Sequence, residues 1–586
     1  MRQWMVAAKK ADFYAIAEKF HVDPVVARII RNREVIGEKN IRIYLGGNLS
    51  DLSDPHQMKD MDRLGEILAQ KIRKQVHIRI IGDYDVDGVT SSHLFLTALR
   101  RVGAKVDVVI PHRIQDGYGL SLHLLQQAKE DGVDTILTCD NGIAAIDEIA
   151  WAKAQKMTVL VTDHHAVPFE EHEGRRTEKK SLADAVVNPH QQDCGYPYKE
   201  LCGAGVAWNV IRVLYENYDM DKREAEDLLD FVAMATVCDV MSLTGENRIL
   251  VKEGLKRIRH TKNIGLQALM QACNVQPENI SAYHFGYVLG PCVNATGRLD
   301  TARHALRLFE TGQETEAEEI ARDLVDLNQE RKELTLQGVE MAKKLCEEGG
   351  YENDPVLVLF LPDVHESIAG LIAGRIREMY NRPVFVLTRG EEGVKGSGRS
   401  TENYSMYENM CGCVELFTKF GGHPMAAGLS LPEENVEKFR RKINENCPLT
   451  VEEVCPDIHI DMAMPVGYAS TELVHQFALL EPFGKDNPSP LFADRNLSIS
   501  RMWLIGKNRN VLRMSVLSEY GQPVPVIFFG DVETLFAYFT EKFGQEEVEN
   551  ALHGRKNRIL FSMVYTAKID FYQGNENLQL EMKYYR

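Results

Sequence analysis

Three aspartates stand on alternate positions directly after a mostly apolar stretch of the chain. Residues 78–81 read IRII, Gly82 follows, and Asp83, Asp85 and Asp87 precede an apolar, helix-like segment. Like charges this close repel one another, so the folded protein must offset them. Bound cations are the strongest local counter-charge that a site can recruit. The spacing therefore indicates a cation site.

Other carboxylates and histidines follow later predicted strands. Asp140 follows TILTC, and Asp163, His164 and His165 come shortly after MTVLV. Asp239 lies in the mostly apolar stretch FVAMATVCDVMSL, where a lone carboxylate would be costly. The carboxyl ends of parallel strands face one crevice, so we expect these groups to converge. Taken singly, a D-x-D pair is also compatible with a surface turn, and a His-His pair with chance.

The donor types indicate which cations such a site would prefer. Carboxylate oxygens with one or two imidazole nitrogens suit Mn²⁺ or Mg²⁺ better than a thiolate-loving ion. Two ions roughly 3.5–4 Å apart would form a clamp for hydrolytic attack at phosphorus. The sequence therefore predicts a site for two divalent ions, either Mn²⁺ or Mg²⁺.

The elements that must position these residues alternate between strand and helix patterns. Strands are predicted at VHIRIIG, KVDVVIP, DTILTCDNG, MTVLVTDHH and ADAVVNP, with helices of about ten to fifteen residues separating the first four. This alternation is typical of a doubly wound, mostly parallel α/β sheet. Turns are predicted at LTGENR and GPCVNATGRLD.

The second half of the chain changes pattern twice. Apolar residues at 3–4 spacing from Glu314 to Glu348 predict one long helix, either a connector between two lobes or an ordinary core helix. DPVLVLFLPD begins a second α/β unit, and short β-like runs after about residue 450 predict a small barrel. The predicted division is a helical lead-in (1–75), an α/β domain (76–310), a connecting helix (311–350), a second α/β domain (351–448) and a barrel (449–586).

Composition limits the classes of protein that the chain can represent. Its 586 residues exceed a single core, and its net charge of −17 argues against a generally basic nucleic-acid-coating surface, though not against a local groove. Eleven scattered cysteines without a C-x-x-C pair disfavour a disulfide framework or a zinc site. Lys9, Lys10 and Asp12 interrupt any signal-peptide core, and no apolar run reaches the ~20 residues of a membrane span. We expect a soluble, cytoplasmic protein.

Together, GDYDVDG, CDNG, TDHH and VCDV resemble the DHH phosphoesterase superfamily and, within it, the bacterial RecJ exonuclease family. RecJ-like segments also include VHESIAGLIAGRIREMYNRPVFVL, FGGHPMAAGLSL and EPFGKDNPSPLF. The resemblance implies a DHH catalytic domain, a DHH-associated (DHHA1) domain and a C-terminal OB-like β-barrel. It also implies a single-stranded-DNA-specific 5′→3′ exonuclease that releases 5′-mononucleotides by two-metal hydrolysis in DNA repair and recombination.

The resemblance further implies roles for individual residues. The metal ligands are Asp83, Asp85, Asp87, Asp140, His164 and Asp239. Asp163 orients the histidines, while His165 and Arg298 contact the reacting phosphate. The residues assigned to the 5′-phosphate and the DNA are Arg113, Tyr118, Ser397, Arg399, Asn294 and His423.

The local sequence around the phosphate-binding candidates is also compatible with purely structural roles. GSGRS is expected to offer flexible backbone N–H groups, Arg113 and Arg298 to lie in turns, and His423 on a glycine-rich loop. An arginine beside a glycine turn is also compatible with a solvated charge, and Tyr118 with a packed aromatic. Of the barrel aromatics that could stack on bases, most are expected to be core: Phe483, Trp503, Phe528 and Phe529.

Two other functions remain open at this level. One is a DHH phosphodiesterase for short oligonucleotides or cyclic dinucleotides, which the extra C-terminal region disfavours. The other is a replication scaffold that binds single strands without cleaving them, which the filled acidic positions disfavour. For partners, the resemblance implies single-stranded DNA, with a single-strand-binding protein and a helicase as candidates; we expect no membrane and a monomer.

Overall fold

The computed structural model describes residues 3–113, 116–172, 175–390, 393–506, 509–572 and 574–586. The chain forms two compact units. The first unit contains residues 52–242 and 246–456, and the second contains residues 3–51, 243–245 and 457–586. Among the described residues, no helix is both long and apolar enough to cross a membrane.

The N-terminal segment of the second unit is mainly helical. Its elements are β1 (Trp4–Val6), α1 (Phe13–Phe20), α2 (Pro24–Asn32) and α3 (Glu38–Gly46). Asp23 caps α2 by accepting from the Val25 amide, and Ile29 of that helix shares a core with Phe492 of the same unit. Arg33 also binds Asp461 at 2.7 Å. Residues 3–51 thus pack with the C-terminal part of the chain, whereas the proposed boundaries at 75, 310, 350 and 448 remain predictions.

The first unit contains the predicted parallel sheet. Its strands run in the order β3-β2-β4-β5-β8, all parallel. The order reverses between β2 and β4, which creates the switch point where ligands bind in open α/β sheets. A separate hairpin, β6–β7, was not predicted. The strands are β2 (His77–Ile81), β3 (Lys105–Val109), β4 (Thr135–Cys139), β5 (Thr158–Thr162), β6 (Phe169–His172), β7 (Arg175–Glu178) and β8 (Ala185–Val187).

Helices surround this sheet and continue to residue 310. They are α4 (Met61–Arg73), α5 (Val86–Arg101), α6 (Leu122–Glu130), α7 (Ile146–Ala154), α8 (Gly203–Glu216), α9 (Lys222–Glu226), α10 (Leu229–Cys238), α11 (Gly245–Ile258), α12 (Ile264–Ala272), α13 (Ala282–His284), α14 (Gly290–Leu299) and α15 (Ala302–Glu310). The predicted turn at GPCVNATGRLD was wrong, because this stretch forms α14. Pro291 lies in the first turn of α14, where a helix needs no backbone donor.

The long helix α16 (Glu314–Glu348) is confirmed as one continuous element. It packs against α12 and α14 on one side and against the following α/β domain on the other. Gly338, which interrupts the apolar pattern, is a contact point: a Cβ there would lie 2.3 Å from Ile372 Cδ1. A small residue was needed at this position so that two helices could approach closely.

The second α/β domain forms a five-stranded sheet in the order β12-β13-β11-β10-β9. Only the β9–β10 pair is parallel. The elements are β9 (Leu357–Phe360), α17 (Glu366–Tyr380), β10 (Val384–Gly390), β11 (Gly393–Arg399), α18 (Met406–Cys411), β12 (Lys419–His423), β13 (Ala426–Leu431) and α19 (Val436–Glu445).

Two glycine-rich segments of this domain differ from their predictions. GSGRS is not a flexible loop, since residues 396–399 belong to β11. A Cβ on Gly398 would lie 2.5 Å from Met406 Sδ, so glycine serves close packing rather than freedom. His423 ends β12 rather than lying on a loop.

The C-terminal part of the second unit is the predicted barrel. Its six strands run in the order β15-β16-β17-β18-β20-β19, and a β16–β19 pairing closes the sheet. Phe528 is core, Phe483 and Trp503 are partly buried, and Phe529 is exposed. The elements are β14 (Ile458–Ile460), β15 (Met462–Ala463), α20 (Thr471–Phe477), β16 (Phe492–Ile505), β17 (Val511–Leu517), β18 (Pro523–Phe528), α21 (Val532–Phe543), α22 (Gln545–Leu552), β19 (Leu560–Tyr572) and β20 (Asn575–Tyr585).

Candidate active site

The first carboxylates of the site lie where β2 passes into α5. Asp85 caps α5 by accepting a 3.0 Å hydrogen bond from the Gly88 amide. Asp87, in the first turn, accepts from the amides of Gly203 and Ala204 at 2.6 and 2.7 Å. Those two amides begin α8, and a helix N-terminus stabilises negative charge. The fold therefore supplies fixed donors that hold the carboxylates in place.

Gly88 allows α5 to begin directly over Asp83. A Cβ at position 88 would lie 2.5 Å from both the Asp83 nitrogen and its carbonyl oxygen. Contacts below 3 Å with backbone atoms leave no room for a side chain, so glycine is required here. The D-x-D-G order of the motif thus follows from the close approach of helix and strand end.

The end of β4 brings Asp140 to the same edge. Asp140 has φ +61 and a buried carboxylate. The next residue, Asn141, donates to the carbonyls of Ile81 and Cys139 at 3.0 and 2.9 Å. Because these carbonyls end β2 and β4, Asn141 holds the two strand ends together. This contact sets the separation between Asp140 and the carboxylates that follow β2.

His164 joins the carboxylates from the end of β5. Its Nε2 lies 3.0 Å from Asp140 Oδ1 and 3.6 Å from both Asp87 Oδ2 and Asp239 Oδ2. Asp239 follows the last residue of α10, so four separate elements contribute to one point. The carboxyl edge of the sheet thus gathers the groups that the sequence motifs placed far apart.

Three overlapping groups of these residues have ligand atoms within 4.8 Å of one another. All six predicted metal ligands occur in them, and His165 occurs as well. Their role as ligands is still a prediction. The groups are Asp83–Asp85–Asp140, Asp87–His164–Asp239 and Asp140–His164–His165.

Two orphaned atoms show that this donor set suits a cation. Asp140 Oδ1 and His164 Nε2 are buried and lie 3.0 Å apart, but within the described parts of the chain neither makes a hydrogen bond of acceptable geometry. Buried polar atoms without partners are costly unless a ligand satisfies them. Carboxylate oxygens with an imidazole nitrogen match the preferences of Mg²⁺ and Mn²⁺. The residues present therefore fit divalent ions.

The protonation of the carboxyl groups supports the same interpretation. Burial, followed by repulsion from Asp85, raises the pKa of Asp83 to about 8. Burial and neighbouring carboxylates raise the pKa of Asp85 and of Asp140 above the ordinary range. Burial lowers the pKa of His164, which favours the neutral ring that a metal ligand needs. Cations would offset this repulsion and hold the acids ionised.

Asp163 and His165 behave differently from the cluster beside them. Asp163 is buried, yet its oxygens accept from the amides of Ile143, His164 and His165 and from His165 Nδ1 at 2.8 Å. Burial opposes its charge, but these donors lower its pKa. Burial likewise opposes the charge on His165, but pairing with Asp163 raises the pKa of the ring to about 9. Pairing with Asp163 therefore favours a protonated His165 ring next to the metal-binding edge.

Tyr118 is anchored at the mouth of the site. Its hydroxyl donates to the carbonyl of Asp140 at 2.9 Å and lies 3.1 Å from His165 Nε2. About half of the side chain remains exposed, at 52%. The hydroxyl is fixed while the ring stays accessible, an arrangement compatible with the predicted contact to DNA.

A group of arginines lies near the acidic cluster. Arg298 lies in α14 rather than in the predicted turn, and its Nη1 donates to the Ser367 carbonyl at 2.7 Å. Burial, then repulsion from Arg113, Arg331 and Arg399, lowers its pKa to about 10. Burial also lowers the pKa of Arg399. Cations that destabilise one another in a buried site favour an anion between them.

A cavity of about 400 Å³ lies beside these arginines, and its wall comes from both α/β domains. Arg113, Tyr118 and Ser397 line it, whereas Arg399 does not, and the contacts of all four with DNA stay predictions. Asn294 lies nearer the aspartates, where its Oδ1 accepts from the Val86 amide at 3.2 Å. His423 is exposed and is not a lining residue.

Several lining residues were missed by sequence reasoning. Tyr84, between two motif aspartates, lies under the Arg113 guanidinium at 5.0 Å from its ring centroid. Lys395 and Lys419 add positive charge to the wall. The alternate position of Tyr84 within D-Y-D could have signalled its role, whereas nothing in the local sequence distinguishes the two lysines from surface residues.

Comparison with known proteins places this geometry in a family. The DHH family N-terminal domain matches residues 77–236, the DHHA1 domain residues 353–447 and the RecJ OB domain residues 460–584. The single-stranded-DNA-specific exonuclease RecJ of Haemophilus influenzae is 32% identical over 582 residues, with 96% of each chain covered. The Bacillus subtilis protein of the same name is 33% identical over 512 residues, which are 87% of this chain and 63% of that relative.

A solved structure agrees over the full length. The crystal structure of RecJ from Thermus thermophilus in complex with Mn²⁺ has a TM-score of 0.79 and 25% identity. The match covers 100% of this chain and 79% of that one. The predicted architecture of DHH domain, connecting helix, DHHA1 domain and OB barrel is therefore confirmed. On this coverage and identity, the chain belongs to the RecJ exonuclease family of DHH proteins.

Proposed function

We propose that this protein is a metal-dependent, single-stranded-DNA-specific exonuclease that degrades strands in the 5′→3′ direction to 5′-mononucleotides. The observation that carries the proposal is the juxtaposition of a carboxylate–histidine cluster and a partly buried group of arginines in one cleft. A phosphodiester satisfies both sides, because its oxygens can bind cations and guanidinium groups together. Membership of the RecJ family supports the substrate and the reaction.

Two divalent ions would be held by Asp83, Asp85, Asp87, Asp140, His164 and Asp239. Mn²⁺ is our first choice, since the Thermus thermophilus relative is described with Mn²⁺, and Mg²⁺ is the alternative. When bound, such ions neutralise the carboxylates, lower the pKa of coordinated water and polarise the phosphoryl group.

The chain's own residues would orient the phosphate and receive its developing charge. Asp163 holds His165 by its Nδ1–H, which leaves the protonated ring able to donate toward a phosphoryl oxygen. Arg298 is fixed through Ser367, so its remaining N–H groups reach the same region at little entropic cost. Both side chains would stabilise negative charge that increases during attack at phosphorus.

The direction of cleavage would follow from where the 5′ end of the strand binds. Arg113 and Ser397 line the cavity, and Arg399 lies beside it. A terminal 5′-phosphate carries more charge than an internal diester and suits this pocket better. Binding the end there would place the next linkage over the metal-binding edge, so each cut would release a mononucleotide.

The resemblance extends this proposal beyond the site. By family resemblance, the protein would act in DNA repair and recombination together with a single-strand-binding protein and a helicase. It would also be a monomer located in the cytoplasm. The OB barrel supports contact with single strands, since grooves of this fold commonly bind them.

The deciding experiment uses one long single strand labelled at either end. With Mn²⁺, we expect release of mononucleotides from the 5′ end, sparing of the matching duplex, and no cleavage with chelator. Digestion limited to dinucleotides or very short oligomers would instead indicate a short-oligonucleotide phosphodiesterase. Binding without cleavage in every metal would indicate a scaffold and refute the exonuclease.

A further inference from the structure

One helical segment extends from the candidate active site to an exposed aromatic pair. Residues 282–299 comprise α13, a π-helical turn (Phe285–Leu289) and α14. Five side chains follow one another at intervals of three or four residues, the spacing of neighbours on one helix face. Each is at least partly accessible: Tyr283, Tyr287, Pro291, Asn294 and Arg298.

The C-terminal end of this row lies in the site already described. Asn294 accepts from the Val86 amide, next to Asp85, and Arg298 is fixed through the Ser367 carbonyl. At 1.5 Å per residue, Tyr287 lies about 16 Å from Arg298 along the segment. The row therefore extends from Arg298, the proposed contact of the reacting phosphate, over a distance that corresponds to a few nucleotides of single strand.

The other end of the row is an unusual surface. The side chains of Tyr283 and Tyr287 are 63% and 71% exposed, and their rings stack with centroids 5.1 Å apart and planes at 23°. The buried side of the segment is fixed on α10, because Cys238 Sγ contacts the Phe285 carbonyl at 3.3 Å. Asp239, one of the proposed ligands, directly follows Cys238. The segment that carries the stacked pair is thus anchored to the helix that ends next to Asp239.

The chemistry of this surface fits unpaired bases. Two stacked aromatic rings facing solvent leave π surface that a base can cover, whatever its sequence. Base stacking also needs little positive charge, and this chain carries a net charge of −17. An aromatic platform would therefore hold a strand where a continuous basic track is hard to build.

We propose that Tyr283 and Tyr287 form a stacking platform for the bases that lie 3′ of the scissile phosphate. The inference rests on the proposed function, since it assumes that the 5′ end lies toward Arg113 and Arg399. A strand anchored there and cut near Arg298 would continue along this helix face toward the tyrosines. Only a single strand exposes the faces of its bases, so the platform would also favour unpaired over duplex DNA.

The test measures affinity for a 5′-phosphorylated strand by fluorescence anisotropy, with Ca²⁺ replacing the catalytic metal. The double variant Y283A/Y287A should bind about tenfold or more weakly, because each stacked base contributes substantially. Y283F/Y287F, which keeps both rings, should match the parent. Y14A removes a tyrosine that is 78% exposed on α1 and should also match it.

A second strand, abasic a few nucleotides from its 5′ end, separates stacking from a structural effect. The parent should lose affinity for it, and Y283A/Y287A should bind both strands equally. Equal affinity of parent and Y283A/Y287A for the normal strand would overturn the platform. The platform would also be overturned if Y283A/Y287A lost the same factor of affinity, relative to the parent, for the normal and the abasic strand. A loss of affinity in Y283F/Y287F would overturn it as well. If the parent itself neither binds nor cleaves single strands, the proposed function fails first, and the platform with it.

Discussion

The acidic cluster and the arginine group are neighbours in one cleft, and each brings several like charges together. Most of the carboxylates are buried, whereas the arginines are partly exposed. The carboxylates sit on strand ends and helix starts, and backbone amides fix Asp85 and Asp87. The arginines reach the cleft on long side chains from a helix, a loop and a strand. The acidic side is therefore rigid at the backbone, whereas the basic side depends on side-chain packing.

This difference predicts how substitutions in the acidic cluster and in the arginine group will affect activity. A cation clamp needs ligand atoms at fixed separations, so its residues belong on the most rigid part of the sheet. A phosphate pocket can be assembled from guanidinium groups that adjust by rotation. Changes on the acidic side should thus abolish turnover, and changes on the basic side should alter which strand ends are preferred.

The largest expected effect tests the acidic side. D140N keeps the shape of the side chain but removes a charge shared by two of the three ligand groups. We expect kcat to fall by about 10³-fold or more, because a loss of ~4 kcal/mol of transition-state stabilisation has this size. Exonuclease assays with saturating Mn²⁺ would measure it.

The same variant also tests why the cluster needs cations. Because burial raises the pKa of Asp140, its ionised form costs the metal-free protein stability above the ordinary carboxyl pKa. With chelator at neutral pH, D140N should therefore unfold at the same or a higher temperature than the parent. D147N changes an exposed aspartate on α7 and should leave both activity and stability intact. A D140N protein that is active, or that is unfolded, would contradict the rigid-clamp view.

The next effect tests the basic side. R399M removes the guanidinium but keeps much of the side-chain volume. We expect kcat/KM for a 5′-phosphorylated strand to drop by about 10- to 100-fold, as for loss of a buried charge-assisted contact, with a much smaller drop for a 5′-hydroxyl strand. R389M alters an exposed arginine on β10 and serves as the control. Equal losses on both strands would place Arg399 outside a terminal-phosphate pocket.

The same contrast explains which parts of the fold and of the candidate site could be predicted from the sequence. Asp83, Asp85, Asp87, Asp140 and His164 converge as expected, because each follows a strand whose direction the alternating pattern indicates. Every predicted strand of the first sheet is present. The metal-binding edge was predictable because backbone topology alone brings its residues together.

The basic side was less predictable for the same physical reason. Its residues converge through side-chain length and domain packing, which no local pattern records. Gly396 and Gly398 looked like a flexible loop, yet they lie in a strand crowded by neighbouring side chains. Arg298 looked like a turn residue, yet it lies on α14, which Pro291 near its start does not interrupt. Glycine and proline are ambiguous until their neighbours are known.

A smaller effect separates two carboxylates of the acidic side. Asp163 has a lowered pKa, unlike Asp140, so its charge stabilises the fold above the unfolded-state pKa of about 4 and is lost as pH falls through the folded value. His165, with its pKa raised to about 9, contributes fully below about pH 6.5 and loses its contribution as pH rises toward 9. The pair should therefore stabilise most between about pH 4 and 6.5.

D163N should accordingly lose about 1–3 kcal/mol of local stability in that window, and less toward pH 9. Hydrogen exchange of peptides covering β5 would report it without requiring the whole chain to unfold in one step. N141D, by contrast, would disturb the tie between β2 and β4 at every pH. A D163N penalty that grows from about pH 6 to 9 would show that the histidine pairing is not its cause.

The smallest expected effect tests whether an ion pair in the cavity wall limits DNA binding on the basic side. Lys395 lines the cavity but pairs with Glu366 at 2.8 Å, and both side chains are partly exposed. Such a pair adds little to stability, but it withholds a cation from the DNA. E366Q should free Lys395 and raise single-strand affinity about two- to threefold at low salt, an advantage that screening should remove at high salt. E319Q, which removes the same charge from an exposed position on α16, should change nothing. A salt-independent gain would mean that Glu366 acts by shape, and weaker binding would mean that it positions Lys395 rather than competing for it.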